Sequence, residues 1–121
     1  LAPKAGTMER YRLQEWLTFI GTEIHKTFSP MFNKAASEEV KTNSHNRLAL
    51  RLGYVETQLQ NKPYLMGEIF SVADAYLFTV VRWSNFTGFD LTPFPKLREY
   101  MSRVAARPKV QAALNAEGLK Q

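Results

Sequence analysis

The start of one apolar helix constrains this chain more than any other feature of its sequence. Ser71 and Asp74 have the spacing of a capping box. In that motif the serine oxygen accepts from the backbone N–H of the aspartate, and the carboxylate accepts from the N–H of the serine. From 72 to 83 only three residues are clearly polar, so apolar residues occupy every side of the helix. A helix that is apolar all round is a buried one, so we expect a central helix here, with Gly88 ending it.

Apolar periodicity predicts a long helix before this one. It begins at an N-cap, Thr7, and runs to about Phe28, where Ser29 and Pro30 are expected to close it. Its apolar stripe has the spacing of one helix face. The stripe consists of Leu13, Leu17, Ile20, Ile24 and Phe28.

Three further helices are predicted. One runs from a cap at Ser37 to about Gln60, one covers residues 97–105, and a short one starts at Pro108. No segment alternates convincingly between apolar and polar residues, so the fold class is all-α, a bundle of about five helices. The core stripe of the second helix is Leu48, Leu52, Val55 and Leu59.

Composition limits what such a bundle can do. The 121 residues are 45% hydrophobic and contain no Cys, which excludes disulfides, thiolate metal sites and a thiol nucleophile within this chain. Residues 1–6 have the Pro and Gly of a linker, so we expect a linker remnant followed by one helical domain over 7–121. Neither a membrane-spanning run nor a secretory signal is visible, so a cytoplasmic protein is expected.

The net charge of +5 raises the question of a nucleic-acid partner. Lys and Arg are scattered singly, without like-charged blocks or interleaved aromatics, so we expect neither nucleic-acid nor membrane binding. His25 and His45 lie on different predicted helices, and neither has a third ligand at suitable spacing, so no metal site is expected.

Three residues admit both a structural and a functional interpretation. His25 lies near the C-terminal end of the first helix, where the helix dipole favours its charged form, and such a histidine is either a surface residue or a functional one. Trp83 shares a helix face with Tyr76 and Thr79, which indicates either core packing or a pocket wall. For Asp74 the capping box is sufficient explanation, and we favour a structural role.

The segments Asn61–Glu68 and Phe70–Tyr76 resemble the core signature of the all-helical C-terminal domain of soluble glutathione transferases. Thr22–Lys26, Phe78–Trp83 and Ala106–Gln111 resemble the bacterial beta class in particular. The resemblance covers essentially the whole chain. It implies that a thioredoxin-like N-terminal domain, which this chain lacks, completes the protein and carries the beta-class cysteine.

The resemblance also implies roles for individual residues. His25 would stabilise or orient the glutathione thiolate, and Lys26 would add positive potential. Thr18 stands where beta-class members commonly have Asn, which reaches glutathione bound by the partner subunit, and a threonine has a shorter reach. Glutathione is a co-substrate, and no cofactor is expected. The implied hydrophobic pocket consists of Phe28, Phe32, Trp83 and Phe86.

The function implied by the resemblance is conjugation of glutathione to small hydrophobic electrophiles. This chain would supply the electrophile pocket and, through its first two helices, much of a homodimer interface. Alone it is expected to be inactive or nearly so. The alternative is a non-catalytic helical module for protein assembly, because domains with the same capping-box signature are also joined to translation proteins.

Overall fold

A computed structural model of the chain describes residues 1–119. Within that range it contains helices and one isolated bridge between Tyr64 and Gly67, so the all-α fold class is confirmed. In chain order the elements are α1 (Met8–Phe19), a π-helical segment (Ile20–His25), α2 (Lys26–Phe32), α3 (Glu38–Gln58), α4 (Val72–Val81), α5 (Ser84–Thr87), α6 (Pro95–Ala105) and α7 (Pro108–Ala116). The first three elements form one continuous helical stretch, which with α3, α4, α6 and α7 gives the five helices expected.

The first helical stretch does not end where the sequence predicted. It continues through Ser29 and Pro30 to Phe32, and only Asn33 turns to extended backbone. A proline removes one backbone hydrogen bond, and here it does so near a helix end where few bonds remain to be lost. The ring of Phe32 lies edge-on to Trp83 with centroids 5.5 Å apart, and this packing holds the last turn in helical conformation.

The buried stripes follow the predicted periodicity with one exchange. Leu48, Leu52 and Val55 of α3 are fully buried, as expected. In α1 Leu13 is buried as expected, but Trp16 is buried in place of Leu17, which is only partly buried. The core therefore lies between the first helical stretch, α3, α4 and α6.

The prediction that α4 is buried on every side is wrong for this chain. One face is buried in the core, but Val72, Ala75 and Thr79, which lie on the opposite face, are exposed. The helix also ends at Val81, and Gly88, in a left-handed conformation (φ 77°), ends α5 instead. None of the elements that the structure describes covers the outer face of α4.

The predicted capping box is confirmed, and it belongs to a larger network. The Ser71 N–H donates to Asp74 Oδ2 (2.9 Å), and Ala73 N–H donates to Ser71 Oγ (3.3 Å). Asp74 is fully buried, and its Oδ1 also accepts from Leu65 N–H (3.0 Å) and the Tyr100 hydroxyl (2.9 Å). Burial, followed by the negative charge of Asp74, raises the pKa of Tyr100 well above its usual value, so the hydroxyl remains a donor. One carboxylate thus joins the loop before α4 to α6.

The N-terminal segment packs on the start of α4. The Leu1 carbonyl accepts from Val72 N–H (3.0 Å), and Arg10 donates to the Pro3 carbonyl (2.8 Å). Thr7 caps α1 as predicted, by accepting from Arg10 N–H. The division into a linker at 1–6 and a domain at 7–121 stays a prediction, and Lys120 and Gln121 lie outside the described residues.

Candidate functional site

His25 is the last residue of the π-helical segment. Such wider helical turns are rare and occur often at functional sites. Here Ile20, Ile24 and Phe28 are all fully buried at four-residue intervals, which anchors this segment in the core. His25 lies beside that buried row and is half-buried, so its ring can contact both the core and a ligand.

An ion pair fixes the same segment against α3. Glu23 Oε1 lies 2.7 Å from Arg51 Nε and 3.7 Å from Arg47 Nη2. The Thr27 hydroxyl also donates to the Glu23 carbonyl at 2.8 Å. These polar contacts occupy the side of the helix that faces α3, while His25 faces α4.

Trp83 is the centre of the site. It follows the last turn of α4 and is contacted edge-on by His25, with ring centroids 5.0 Å apart and planes at 78°. Phe28 and Phe32 contact the same indole at 5.8 Å and 5.5 Å, also edge-on. Four side chains that the sequence singled out therefore form one aromatic cluster, although Trp83 is about 50 residues away in sequence from the other three.

The members of this cluster differ in how much of their surface a ligand could contact. Phe28 is 0% exposed, so it supports Trp83 from behind and presents no surface of its own. Phe32 is 47% exposed, and Phe86, on α5, is 63% exposed. The open apolar surface next to His25 therefore consists of Trp83 and Phe32, while Phe86 is exposed one turn after Trp83 and has no ring contact with the cluster among the described residues.

Two other residues named from the sequence lie on the surface of the first helical stretch. Lys26 is exposed, and none of the ion pairs among residues 1–119 includes it, so its charge is directed to solvent. Thr18 is exposed as well, and its carbonyl accepts from the Thr22 hydroxyl (2.9 Å). Their functional roles stay predictions.

Tyr76 is the residue that the sequence reasoning missed. Its hydroxyl lies 2.6 Å from His25 Nδ1, and its ring is edge-on to the imidazole. The hydroxyl lies beside Gly21, where a Cβ would be in ordinary van der Waals contact with it at 3.5 Å. The spacing of Tyr76 and Trp83 on one helix face was the available signal, but it does not show which residue of another helix they contact.

The site is an open surface with apolar and polar sides. A cavity of about 510 Å³ lies elsewhere, between the N-terminal segment and residues 66–71, and neither His25 nor Trp83 lines it. Within the described part of the chain no three side chains are grouped as metal ligands would be, and no helix is long and apolar enough to cross a membrane. The functional groups of this site are one imidazole, one nearby ammonium group and several aromatic rings.

Comparison with known proteins then decides the family. Residues 19–108 match the model for the glutathione S-transferase C-terminal domain. The chain belongs to this family. The part matched includes the capping box, the π-helical segment and the whole aromatic cluster.

Individual relatives of the transferase domain agree. The chain is similar to glutathione S-transferase GstA of Escherichia coli O157:H7, with 42% identity over 120 residues that cover 99% of this chain and 59% of GstA. The structure is similar to that of BphK, a bacterial glutathione transferase solved as a ternary complex (TM-score 0.97, 52% identity, 98% and 60% of the two chains covered). It is also similar to the beta-class transferase of Sphingomonas chungbukensis (TM-score 0.93, 44% identity, 99% and 60% covered). The chain spans about 60% of the length of these relatives.

Proposed function

We propose that this domain supplies the electrophile pocket for the conjugation of glutathione to small hydrophobic electrophiles. The observation that carries the proposal is the aromatic cluster, in which an imidazole lies directly against the partly open ring of Trp83. A thiolate and an apolar electrophile need such a pair of surfaces side by side. In this reaction a bond forms between the glutathione sulfur and the electrophilic carbon, and a leaving group departs or a double bond accepts the electron pair.

The polar side of the site would act on the sulfur. A donor and a positive charge stabilise the thiolate relative to the thiol, and they lower its pKa. His25 supplies a ring N–H, and Lys26, one residue further along, supplies an exposed ammonium group. Both side chains belong to the rigid first helical stretch, which is fixed to α3 through Glu23.

The apolar side would hold the electrophile. Trp83, Phe32 and Phe86 present exposed ring faces, and Phe28 keeps the indole in position from below. Burying such a ring against an aromatic partner contributes about 0.5 to 1.5 kcal/mol beyond its area. This surface offers the electrophile no specific hydrogen-bonding group. We therefore expect the site to accept many small hydrophobic electrophiles and hence to have a role in detoxification.

The remaining parts of the catalyst would come from outside this chain. The exposed face of α4 is suited to receive a thioredoxin-like domain that binds glutathione, and Thr18 would contact glutathione of a partner subunit. Exposed apolar residues of α1 and α3 would form a homodimer interface, among them Met8, Tyr11, Leu50 and Tyr54.

Since the cytosol holds the reduced glutathione pool, the proposed reaction takes place in the cytoplasm. The relatives named above are all glutathione transferases, which gives no support to the non-catalytic alternative.

A joined protein tests this proposal. With the chain fused to the thioredoxin-like domain of a beta-class transferase, we expect His25→Ala to lower kcat/KM for an aryl halide about 100-fold. His45→Ala is the matched control, because His45 is the other histidine and its ring contacts Phe89 at a tilt of 45° rather than Trp83. If the two variants were equally active, the proposed role of the site would be wrong.

A further inference from the structure

The Tyr76 hydroxyl lies against the imidazole of His25. The Oη to Nδ1 distance of 2.6 Å is at the short end for a hydrogen bond between neutral groups. A neutral imidazole has one donor and one acceptor nitrogen, so the direction of this bond decides which nitrogen carries the proton. That choice determines what His25 presents on its other side.

The chemistry of the two groups favours Tyr76 as the donor. Among residues 1–119, His25 Nδ1 is the only hydrogen-bond partner of the Tyr76 hydroxyl. Either direction leaves one donor without a protein partner among these residues, the Nε2–H when Tyr76 donates and the phenolic O–H when Nδ1–H donates. A phenol O–H is a stronger donor than an imidazole N–H, and an imidazole nitrogen is a stronger acceptor than a phenol oxygen. The bond from Tyr76 to the Nδ1 lone pair is therefore the stronger of the two.

This direction has a consequence for the opposite nitrogen. When Nδ1 accepts, the proton of the neutral ring lies on Nε2, and no residue in the described part of the chain bonds to Nε2. The edge-on contact with Trp83 restricts rotation of the ring, so Nε2–H keeps one orientation. The imidazole is therefore held ready to donate without first exchanging its tautomer.

We propose that Tyr76 is a positioning residue, which holds His25 as the Nε2–H tautomer and so prepares it to donate to the glutathione sulfur. The proposal rests on the function proposed above. Tyr76 itself does not touch the reacting atoms in this scheme, because its hydroxyl is already bonded to Nδ1.

NMR of this 121-residue chain with ¹⁵N-labelled histidine tests the direction directly. At about pH 8.5, above the usual titration range of imidazole, we expect the His25 proton on Nε2 and the Tyr76 hydroxyl proton coupled across the bond to Nδ1. His45 is the internal reference, since its ring contacts Phe89 but forms no hydrogen bond with any described residue. A proton found on Nδ1 in the unmodified chain would overturn the proposal.

Tyr76→Phe then tests the consequence. We expect the ratio of the Nε2–H to the Nδ1–H form to fall about fivefold. In the joined protein, kcat should fall by a similar factor while KM for the electrophile is unchanged. Tyr64→Phe is the matched control, because it also removes a half-buried hydroxyl, one that accepts from Arg107 (3.1 Å). An unchanged tautomer ratio in Tyr76→Phe would also overturn the proposal.

The two proposals can fail separately. If His25→Ala reduces conjugation but the wild-type proton lies on Nδ1, only the role of Tyr76 is wrong. If His25→Ala leaves conjugation intact, the proposed function is wrong whatever the NMR spectra show.

Discussion

Asp74 shows how the hydrogen bonds of one side chain can determine a local structure. Its buried carboxylate accepts from Leu65, Ser71 and Tyr100, which uses both of its oxygens. A buried charge is stable only when its lone pairs are satisfied in this way. The local partner, Ser71, was visible in the sequence, whereas Leu65 and Tyr100 lie 9 and 26 residues away and could not be inferred from spacing.

Tyr100 makes the stability of this network depend on pH. Its pKa is raised in the folded chain, mainly by burial, whereas in the unfolded chain it stays near 10.0. Above about pH 10 the unfolded state therefore loses a proton that the folded state keeps. The contribution of Tyr100 to stability is complete below that pH and declines above it by up to about 1.4 kcal/mol per pH unit.

The comparison of Tyr100→Phe with the unmodified chain measures this effect. We expect the difference in their free energies of unfolding in urea to shrink between about pH 9 and pH 11, because only the unmodified chain has the titrating group. A difference that stayed constant over this range would contradict the assignment.

In the candidate site, too, residues with a local sequence signal were predicted, whereas a contact between distant residues was not. His25, Phe28, Phe32 and Trp83 were all singled out from the sequence, and the structure brings them into one cluster. The contact of Tyr76 with His25 was not predicted, because the two residues lie 51 positions apart on different helices and periodicity along one helix does not identify its contacts with another.

At the scale of elements, α6 begins without a capping side chain of its own. Phe94 is at the N-cap, and Pro95 is the first residue of the helix. The missing cap comes from α3, where the two carboxylate oxygens of Glu56 accept from Lys96 N–H (2.9 Å) and Leu97 N–H (2.8 Å). A negative charge is favourable at a helix N-terminus, so this contact stabilises α6 and fixes it to α3.

Glu56→Ala should therefore lower the free energy of unfolding by about 1 to 2 kcal/mol. Amide hydrogen exchange at Lys96 and Leu97 should become faster than in the rest of α6. Glu99→Ala is the control, because Glu99 forms only an exposed ion pair with Lys96 (3.5 Å) and should change stability by about 0.5 kcal/mol or less. Equal effects of the two substitutions would show that Glu56 is not a cap.

At the scale of the whole molecule, the exposed face of α4 separates what the sequence could predict from what it could not. An all-round apolar helix correctly indicated a central element, but Val72 and Ala75 remain exposed because no described part of this chain covers them. The chain spans about 60% of the length of its relatives. Periodicity shows that a helix face is apolar, but it does not show what packs against that face.

In the proposed site, Trp83 contacts the electrophile side of a glutathione conjugate. The most direct measurement is a titration with S-hexylglutathione. The protein used is the chain with Trp16→Phe, joined to a tryptophan-free thioredoxin-like domain, so that Trp83 is the only indole. We predict a saturable change in Trp83 fluorescence that needs about tenfold more ligand in His25→Ala. If calorimetry showed binding while Trp83 fluorescence did not change, the electrophile would lie elsewhere and the account of this site would be contradicted.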